Sequence, residues 1–257
     1  MNHKQLLHSM ASGQMQAYFQ PKFDLQTGHV EAAEALARLH HPVKGLLLPG
    51  VFLAQVDRCG LMDALFLAQL NQGLCLQQQA LAQGQQLNIA FNLKAEQLAD
   101  VKLIVQIEAA LSAYGLPGEG LTFELTEGSV IKAHQRSLDN AMYLRTLGCR
   151  LSIDDFGSGY SSLYRLCELP FNEIKLDRSF VAGLEHEPRC KAVICNTLAL
   201  GRALGAEVVL EGIETDAQRL QLLELGGVQG QGYWCAPAMA AGDFLSWLGA
   251  RHSREDK

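Results

Sequence analysis

Basic residues are in short supply: 21 Lys and Arg stand against 27 Asp and Glu, a formal net charge of −6. No positive surface is available to neutralise a phosphate backbone, which argues against a DNA or RNA polymer as partner. Proline is sparse, at 7 residues in 257, and no Pro/Ser linker or charge run divides the chain. One domain over residues 1–257 is therefore expected. Long hydrophobic runs are missing too. No stretch of about 18 apolar residues occurs, and the N-terminus, Met1-Asn2-His3-Lys4, lacks the apolar segment of a signal peptide. Neither a membrane nor export is expected. The seven cysteines (Cys59, Cys75, Cys149, Cys167, Cys190, Cys195, Cys235) are an odd set without Cys-x-x-Cys spacing, and they read as reduced thiols of a soluble, cytoplasmic protein. None of the eight histidines forms a His-x-x-His or His-Glu-x-x-His pattern, which makes a zinc hydrolase a poor reading.

What is present is apolar and periodic. Hydrophobic residues make up 48% and charged residues 19%, enough to bury one large core. Strand-like runs alternate with longer helical patterns, as in βα units around a parallel sheet. The strand candidates are 16–20, 30–36, 87–92, 121–125, 150–154, 173–176, 207–210 and 228–231. Helical patterns cover 61–81, 101–114, 135–147, 191–204 and 216–225, and Gly84, Gly115, Gly148, Gly205 or Gly226 follows their ends as a helix stop. Eight strands suggest an α/β fold of the TIM-like (β/α)8 barrel type, although a doubly wound open sheet has the same periodicity.

The placement of polar residues favours the barrel. Strand after strand is apolar and then ends in Asn92, Glu124, Asp154-Asp155 or Glu211, with Glu34, Lys175 and Gln231 late in their own strands. In a barrel these ends converge on one rim, where the active sites of that fold lie. Singly, each residue has an ordinary explanation: a strand-end Glu is commonly solvated, and a lysine commonly sits on the surface. As a set, Glu34, Glu124, Glu127, Asp154, Asp155, Asp177, Glu211 and Glu214 put up to eight carboxylates near one mouth. Like charges that close cannot all stay ionised without cations. Oxygen donors with one amide, and no His or Cys among them, suit hard ions such as Mg2+ or Mn2+. Paired hard ions commonly serve phosphoryl chemistry, so the residues alone lead to phosphoester hydrolysis.

At this point the chain resembles the EAL-domain phosphodiesterases, which linearise the bacterial second messenger cyclic di-GMP to pGpG. The matching stretches are Tyr18-Phe19-Gln20-Pro21, Glu34-Ala35-Leu36-Ala37-Arg38, Asn92-Leu93, Glu124-Leu125-Thr126-Glu127, Asp154-Asp155-Phe156-Gly157-Ser158-Gly159-Tyr160-Ser161-Ser162-Leu163, Lys175-Leu176-Asp177, Glu211-Gly212-Ile213-Glu214-Thr215 and Gln231-Gly232-Tyr233, across about residues 15–240. One three-residue match would carry little weight, but this many in the family's order are specific.

The resemblance implies a TIM-like barrel with its first strand antiparallel to the others. It implies that Glu34, Asn92, Glu124 and Asp154 bind one metal, and that Asp154 bridges to a second held by Asp155 and Glu211. The ions would be Mg2+ or Mn2+, with Ca2+ inhibiting. Lys175 would hold or deprotonate the attacking water, Asp177 would orient it, and Gln231 and Glu211 would complete the catalytic set. Gln20, Leu36, Arg38 and Glu214 would face the substrate. Glu127 would anchor a regulatory loop containing Gly157, Ser158 and Gly159. A homodimer is the family's expectation, as is an upstream sensory or receiver domain if the chain is a fragment. The family also contains non-catalytic cyclic di-GMP receptors, expected to lose ligands that are all present here. Four departures stand out: Lys94 for a small Ser, Leu39 for a Trp, Ser158 for a Thr and Leu210 for an Ala. Of these, Leu39 is expected to weaken packing beneath Arg38 and Lys94 to alter charge near the rim.

Overall fold

The computed structural model describes residues 1–127, 135–158 and 168–255. Helix α1 (His3–Ala11) leads into two long strands, β1 (Met15–Asp24) and β2 (Ala32–His41), and a short β3 (Gly45–Leu47). Two helices, α2 (Pro49–Arg58) and α3 (Met62–Ala82), precede β4 (Asn88–Asn92). Then come α4 (Ala95–Leu98), α5 (Val101–Tyr114), β5 (Leu121–Thr126), α6 (Gln135–Thr146) and β6 (Arg150–Phe156). The remainder is β7 (Glu173–Leu176), α7 (Arg178–Ala182), α8 (Pro188–Leu204), β8 (Glu207–Glu211), α9 (Asp216–Glu224), β9 (Gln229–Gln231), β10 (Met239–Ala240) and α10 (Ala241–Glu255).

Eight of these strands close a ring in the order β1-β2-β4-β5-β6-β7-β8-β9, with β9 returning to β1. Strand β1 runs antiparallel to both neighbours, and the pairings from β2 through β9 are parallel. The barrel and its reversed first strand are therefore as expected, and the open sheet is excluded. All eight expected strands are found. The first two extend further than expected: β1 continues through Pro21, which reads locally as a strand end, to Asp24, and β2 runs on past residue 36 to His41. On the side of β1 away from β2, residues 18 and 19 pair with β10 and residues 22–24 with β9. Pro21 falls in the gap between these partners, where a residue without an N–H is tolerated.

The helices pack outside the ring by their apolar faces. Phe66 of α3 meets Phe91 and Phe123 with ring centroids 6.4 and 6.0 Å away. Burial of each such ring contributes about 1.5–3 kcal/mol. Gly73 lets α3 lie this close, since a Cβ there would run into the Phe91 ring. Helix α5 spans the expected 101–114 and ends on Gly115 at φ 63°, a left-handed cap that favours glycine.

Leu39 corrects an expectation. Residues of β2 alternate in direction, so Leu39 points away from Arg38 and is buried with Leu6, Met15, Phe52 and Val56 in a second apolar cluster under α1 and α2. What lies against Arg38 is the ring of Tyr18, 5.7 Å from its guanidinium carbon. Among the described residues, no helix is long and apolar enough to cross a membrane.

Candidate active site

Because successive side chains of a strand alternate, the inward positions of the ring form layers. In most barrels bulky apolar residues fill them. Here the upper layers are charged. Lys175, on β7, is 1% exposed and sits at their centre. Its Nζ lies 3.2 Å from Glu34 Oε2, 3.0 Å from Glu124 Oε2, 3.0 Å from Asp154 Oδ1 and 2.8 Å from Glu211 Oε1. Four strands thus aim carboxylates at one ammonium group.

Amides complete the inner ring. Asn92 Nδ2 donates to Glu34 Oε1 at 2.8 Å, and Gln231 Nε2 donates to Glu34 Oε2 at 2.8 Å and to Gln20 Oε1 at 3.4 Å. The reversed β1 is what places Gln20 opposite Glu34 in the ladder. Burial alone would push Glu34 up, but the Lys175 ammonium and the Gln231 amide hold it down at about 2. Glu124 goes the other way. Burial first, and then the nearby Glu34 carboxylate, push it up to about 8 despite two lysines. Glu211 rises to about 7, again through burial, with Asp154 and Glu34 adding repulsion. Burial lowers the affinity of Lys175 for its proton, yet the four carboxylates raise its pKa well above the ordinary lysine range. It is an ammonium at neutral pH.

Strand β6 ends in a bulge that turns two acids toward the mouth. Its register with β7 slips between Ile153 and Phe156, and Asp155 takes φ 56°, a left-handed conformation that is costly for a residue with a Cβ. Strain of this kind persists where the surroundings fix it, and here it brings Asp155 beside Asp154 and Glu211. One oxygen from each of the three lies within 4.8 Å of the others. Burial and Asp154 raise the pKa of Asp155. An all-oxygen donor set, crowded enough that several members resist ionisation, fits a hard divalent cation. These residues could hold a metal.

The other expected residues take distinct places. Glu127, buried just after β5, accepts the Gly157 N–H through Oε2 at 2.9 Å, so it meets the backbone of the following loop. Ser158 folds back on Asp155 O through its N–H at 3.1 Å and its hydroxyl at 2.7 Å. Gly159, with residues 160–163 of the same motif, lies outside the described residues. Asp177 Oδ1 accepts the Ser179 N–H at 2.9 Å and the Ser179 hydroxyl, capping α7. Leu36 and Glu214 line a cavity of about 240 Å³ with Gln20, Glu34, Asp154, Lys175, Glu211 and Gln231. Arg38 stands beside that lining and donates to Ala37 O at 3.0 Å. Burial lowers its pKa. Lys94 pairs with Asp57 at 2.6 Å, which neutralises much of the charge it brings near the rim.

Four residues had no role assigned from the sequence, although Tyr233 closes one of the matching stretches. Arg178 and the 69% exposed Tyr233 line the cavity. Arg178 directly follows the Lys175-Leu176-Asp177 motif, and Tyr233 stands two positions beyond Gln231. Deeper in the barrel, Lys22 and Glu173 are buried and paired at 2.7 Å. Period two would have found both, since Lys22 follows Gln20 and Glu173 precedes Lys175 by two residues on the same strand face.

The EAL domain model matches residues 3–238. The chain belongs to the EAL-domain family. It is 43% identical over 242 residues to the cyclic di-GMP phosphodiesterase RocR of Pseudomonas aeruginosa, covering 94% of this chain and 62% of RocR. It is 36% identical over 248 residues to MucR of the same organism, a bifunctional diguanylate cyclase/cyclic di-GMP phosphodiesterase, covering 94% of this chain and 36% of MucR. Among solved structures, the MucR phosphodiesterase in complex with c-di-GMP superposes with a TM-score of 0.89 at 35% identity, covering 94% of this chain and 98% of that one. The chain thus spans less than two thirds of the length of these two curated relatives.

Proposed function

We propose that this EAL domain hydrolyses one phosphodiester bond of cyclic di-GMP to give linear pGpG, using Mg2+ or Mn2+. The observation that carries this reading is the convergence of Glu34, Glu124, Asp154 and Glu211 on Lys175 at the strand ends, with Asp155 turned toward the same point and a cavity opening above them. The similarity to phosphodiesterases supplies the substrate. Glu34, Asn92, Glu124, Asp154, Asp155 and Glu211 would hold the metals. When bound, the ions supply positive charge to the phosphoryl group and acidify water.

The chain's own groups do the rest. Gln20, Leu36, Arg38 and Glu214 form the substrate-facing wall, with Arg38 directed to phosphate. Lys175, held as an ammonium, positions the attacking water and does not serve as a resting base. The oxygen of Asp177 that does not cap α7 orients that water, and Gln231 keeps Glu34 turned inward. A bond forms between the water oxygen and phosphorus, the bond from phosphorus to the ribose 3′ oxygen breaks, and that oxygen leaves with a proton as the 3′ hydroxyl of pGpG. Ca2+ inhibits in this reading, because it takes 6–8 oxygens at about 2.3–2.6 Å where Mg2+ needs near-octahedral geometry at about 2.0–2.1 Å. A homodimer is the working unit we propose. The cytoplasm is its compartment, in keeping with six described cysteines that are all unbridged.

The test is chromatography of cyclic di-GMP incubated with the protein and Mg2+. Conversion to pGpG is expected, with none after chelation and none by Glu34→Ala. Binding of cyclic di-GMP without conversion by the wild-type protein would instead make the domain a receptor.

A further inference from the structure

A second cation lies beneath the carboxylates of the mouth. Lys22, on the reversed strand β1, is 3% exposed, and its Nζ is 3.0 Å from Glu124 Oε1 and 2.7 Å from Glu173 Oε1. The two oxygens of Glu124 are therefore divided between two ammonium groups, Oε1 to Lys22 and Oε2 to Lys175. No hydrogen-bond donor takes Oε1 among the described residues, so the Lys22 charge is what fixes it. We propose that Lys22 is a positioning residue for the metal site, locking one oxygen of Glu124 so that the other faces the cluster. The inference rests on reading the rim as a divalent-metal phosphodiesterase site.

The geometry separates the two lysines by task. The partners of Lys175 are Glu34, Glu124 Oε2, Asp154 and Glu211, which are also the oxygens a divalent cation would take, so Lys175 must yield some of them. Lys22 touches none of these atoms and can keep its hold on Oε1 throughout. Glu173 holds Lys22 from below, and burial of Glu173 is outweighed by the Lys22 charge, which keeps its pKa low. Groups that orient a ligand from behind matter to metal sites because they remove the ligand's freedom to turn away, and their loss typically costs about 10–100-fold in metal affinity or activity.

An alternative makes Lys22 and Glu173 no more than a buried ion pair that completes the core. The two readings differ in what Glu173 does. Mn2+ binding to the whole protein, followed by electron paramagnetic resonance, is measured for wild type, Lys22→Met, Glu173→Gln and the double variant Lys22→Met/Glu173→Met. The double variant leaves no uncompensated half of the pair and guards against a failure of Lys22→Met to fold. Mn2+ binding weaker by about 10–100-fold is expected in both variants lacking Lys22, while Glu173→Gln stays within about threefold of wild type. Hydrolysis should follow, with a higher Mg2+ requirement and little change in KM for cyclic di-GMP. A folded double variant with wild-type Mn2+ affinity overturns the proposal, as does Glu173→Gln losing as much affinity as Lys22→Met. Should the wild type bind Mn2+ but form no pGpG, the phosphodiesterase reading fails, and Lys22 is still judged on Mn2+ affinity alone.

Discussion

The two ends of the barrel make opposite use of polar residues. At the N-terminal ends of the strands, a cleft of about 730 Å³ is lined by Gln77, Leu81, Leu87, Asn88, Leu116 and their neighbours, against about 240 Å³ at the charged mouth. The larger space carries the weaker case for chemistry. Two of its amides are spent on the backbone: Gln77 Nε2 donates to Leu87 O at 2.8 Å and Gly120 O at 2.5 Å, and Asn88 Nδ2 donates to Glu119 O at 2.9 Å. At the mouth, four carboxyl groups crowd around the Lys175 ammonium, an arrangement that folding alone does not favour. Volume therefore locates a cleft, while polar groups held in mutual conflict locate a site.

The sharpest way to break this comparison is to remove the central cation and a lower amide in parallel. Lys175→Ala should reduce single-turnover hydrolysis at saturating cyclic di-GMP and Mg2+ by roughly 10²-fold or more, the cost of losing the group that aligns the attacking water. Lys175→Arg should rescue poorly, because a planar guanidinium cannot occupy the place of a compact ammonium amid four carboxylates. Gln77→Leu strands the buried Leu87 carbonyl, at about 1–3 kcal/mol, and the part-buried Gly120 carbonyl, so it should lower the melting temperature and leave the rate per folded molecule unchanged. A wild-type rate in Lys175→Ala would return that residue to a purely structural role, despite its setting.

The mouth was far more legible than what supports it. Alternating apolar runs ending in Glu124, Asp154 and Glu211 announce themselves in one dimension, because a strand's direction carries its last residue to a known rim. Lys22 does not. It lies beyond Pro21, where local pattern ends the strand, and its partner Glu173 lies 151 residues away. The reversal of β1 came from resemblance and not from periodicity, since hydrophobic alternation has no sign for strand direction. Leu39 misled for the related reason that adjacency to Arg38 in sequence means opposite faces in a strand. Asp155 shows a third limit, because its left-handed backbone depends on a register slip against β7 that only the closed sheet imposes.

A smaller effect sharpens the comparison through pH. Glu124 at about 8 and Glu211 at about 7 hold protons near neutrality that an unfolded chain would have released, since both sit above the ordinary value of 4.5. Their contribution to stability without metal therefore falls as pH rises from about 4.5 through 8. Glu34, held near 2, has the reverse sign: its contribution is complete above about 4.5 and is lost as pH falls toward 2. With Glu124 and Glu211 as the proposed ligands, metal binding would expel their protons, so affinity for Mn2+ should tighten at least roughly tenfold between pH 6 and pH 8 and level off above. Calorimetry in buffers of different ionisation enthalpy counts the protons released. A flat affinity over that range, with no proton release, would show that Glu124 and Glu211 are already ionised before the metal arrives.

Glu127 is the residue that crosses the divide. It sits at the mouth among the acids, but like Gln77 it spends itself on the backbone, through Oε2 to the Gly157 N–H at 2.9 Å. Glu127→Ala should accordingly spare the metals and loosen the turn that follows Asp155. A hydrogen bond to a charged acceptor is worth about 1.5–3 kcal/mol, so amide exchange at Gly157 should quicken by roughly 10- to 150-fold if opening is local. Mn2+ affinity should stay near that of wild type. Turnover should fall by less than in Lys175→Ala, because Gly157 holds the turn in which Asp155 is strained and no ligand atom is lost. Hydrogen exchange and metal titration on the same preparation separate the possibilities. Unchanged exchange at Gly157 together with lost Mn2+ affinity would place Glu127 among the metal ligands.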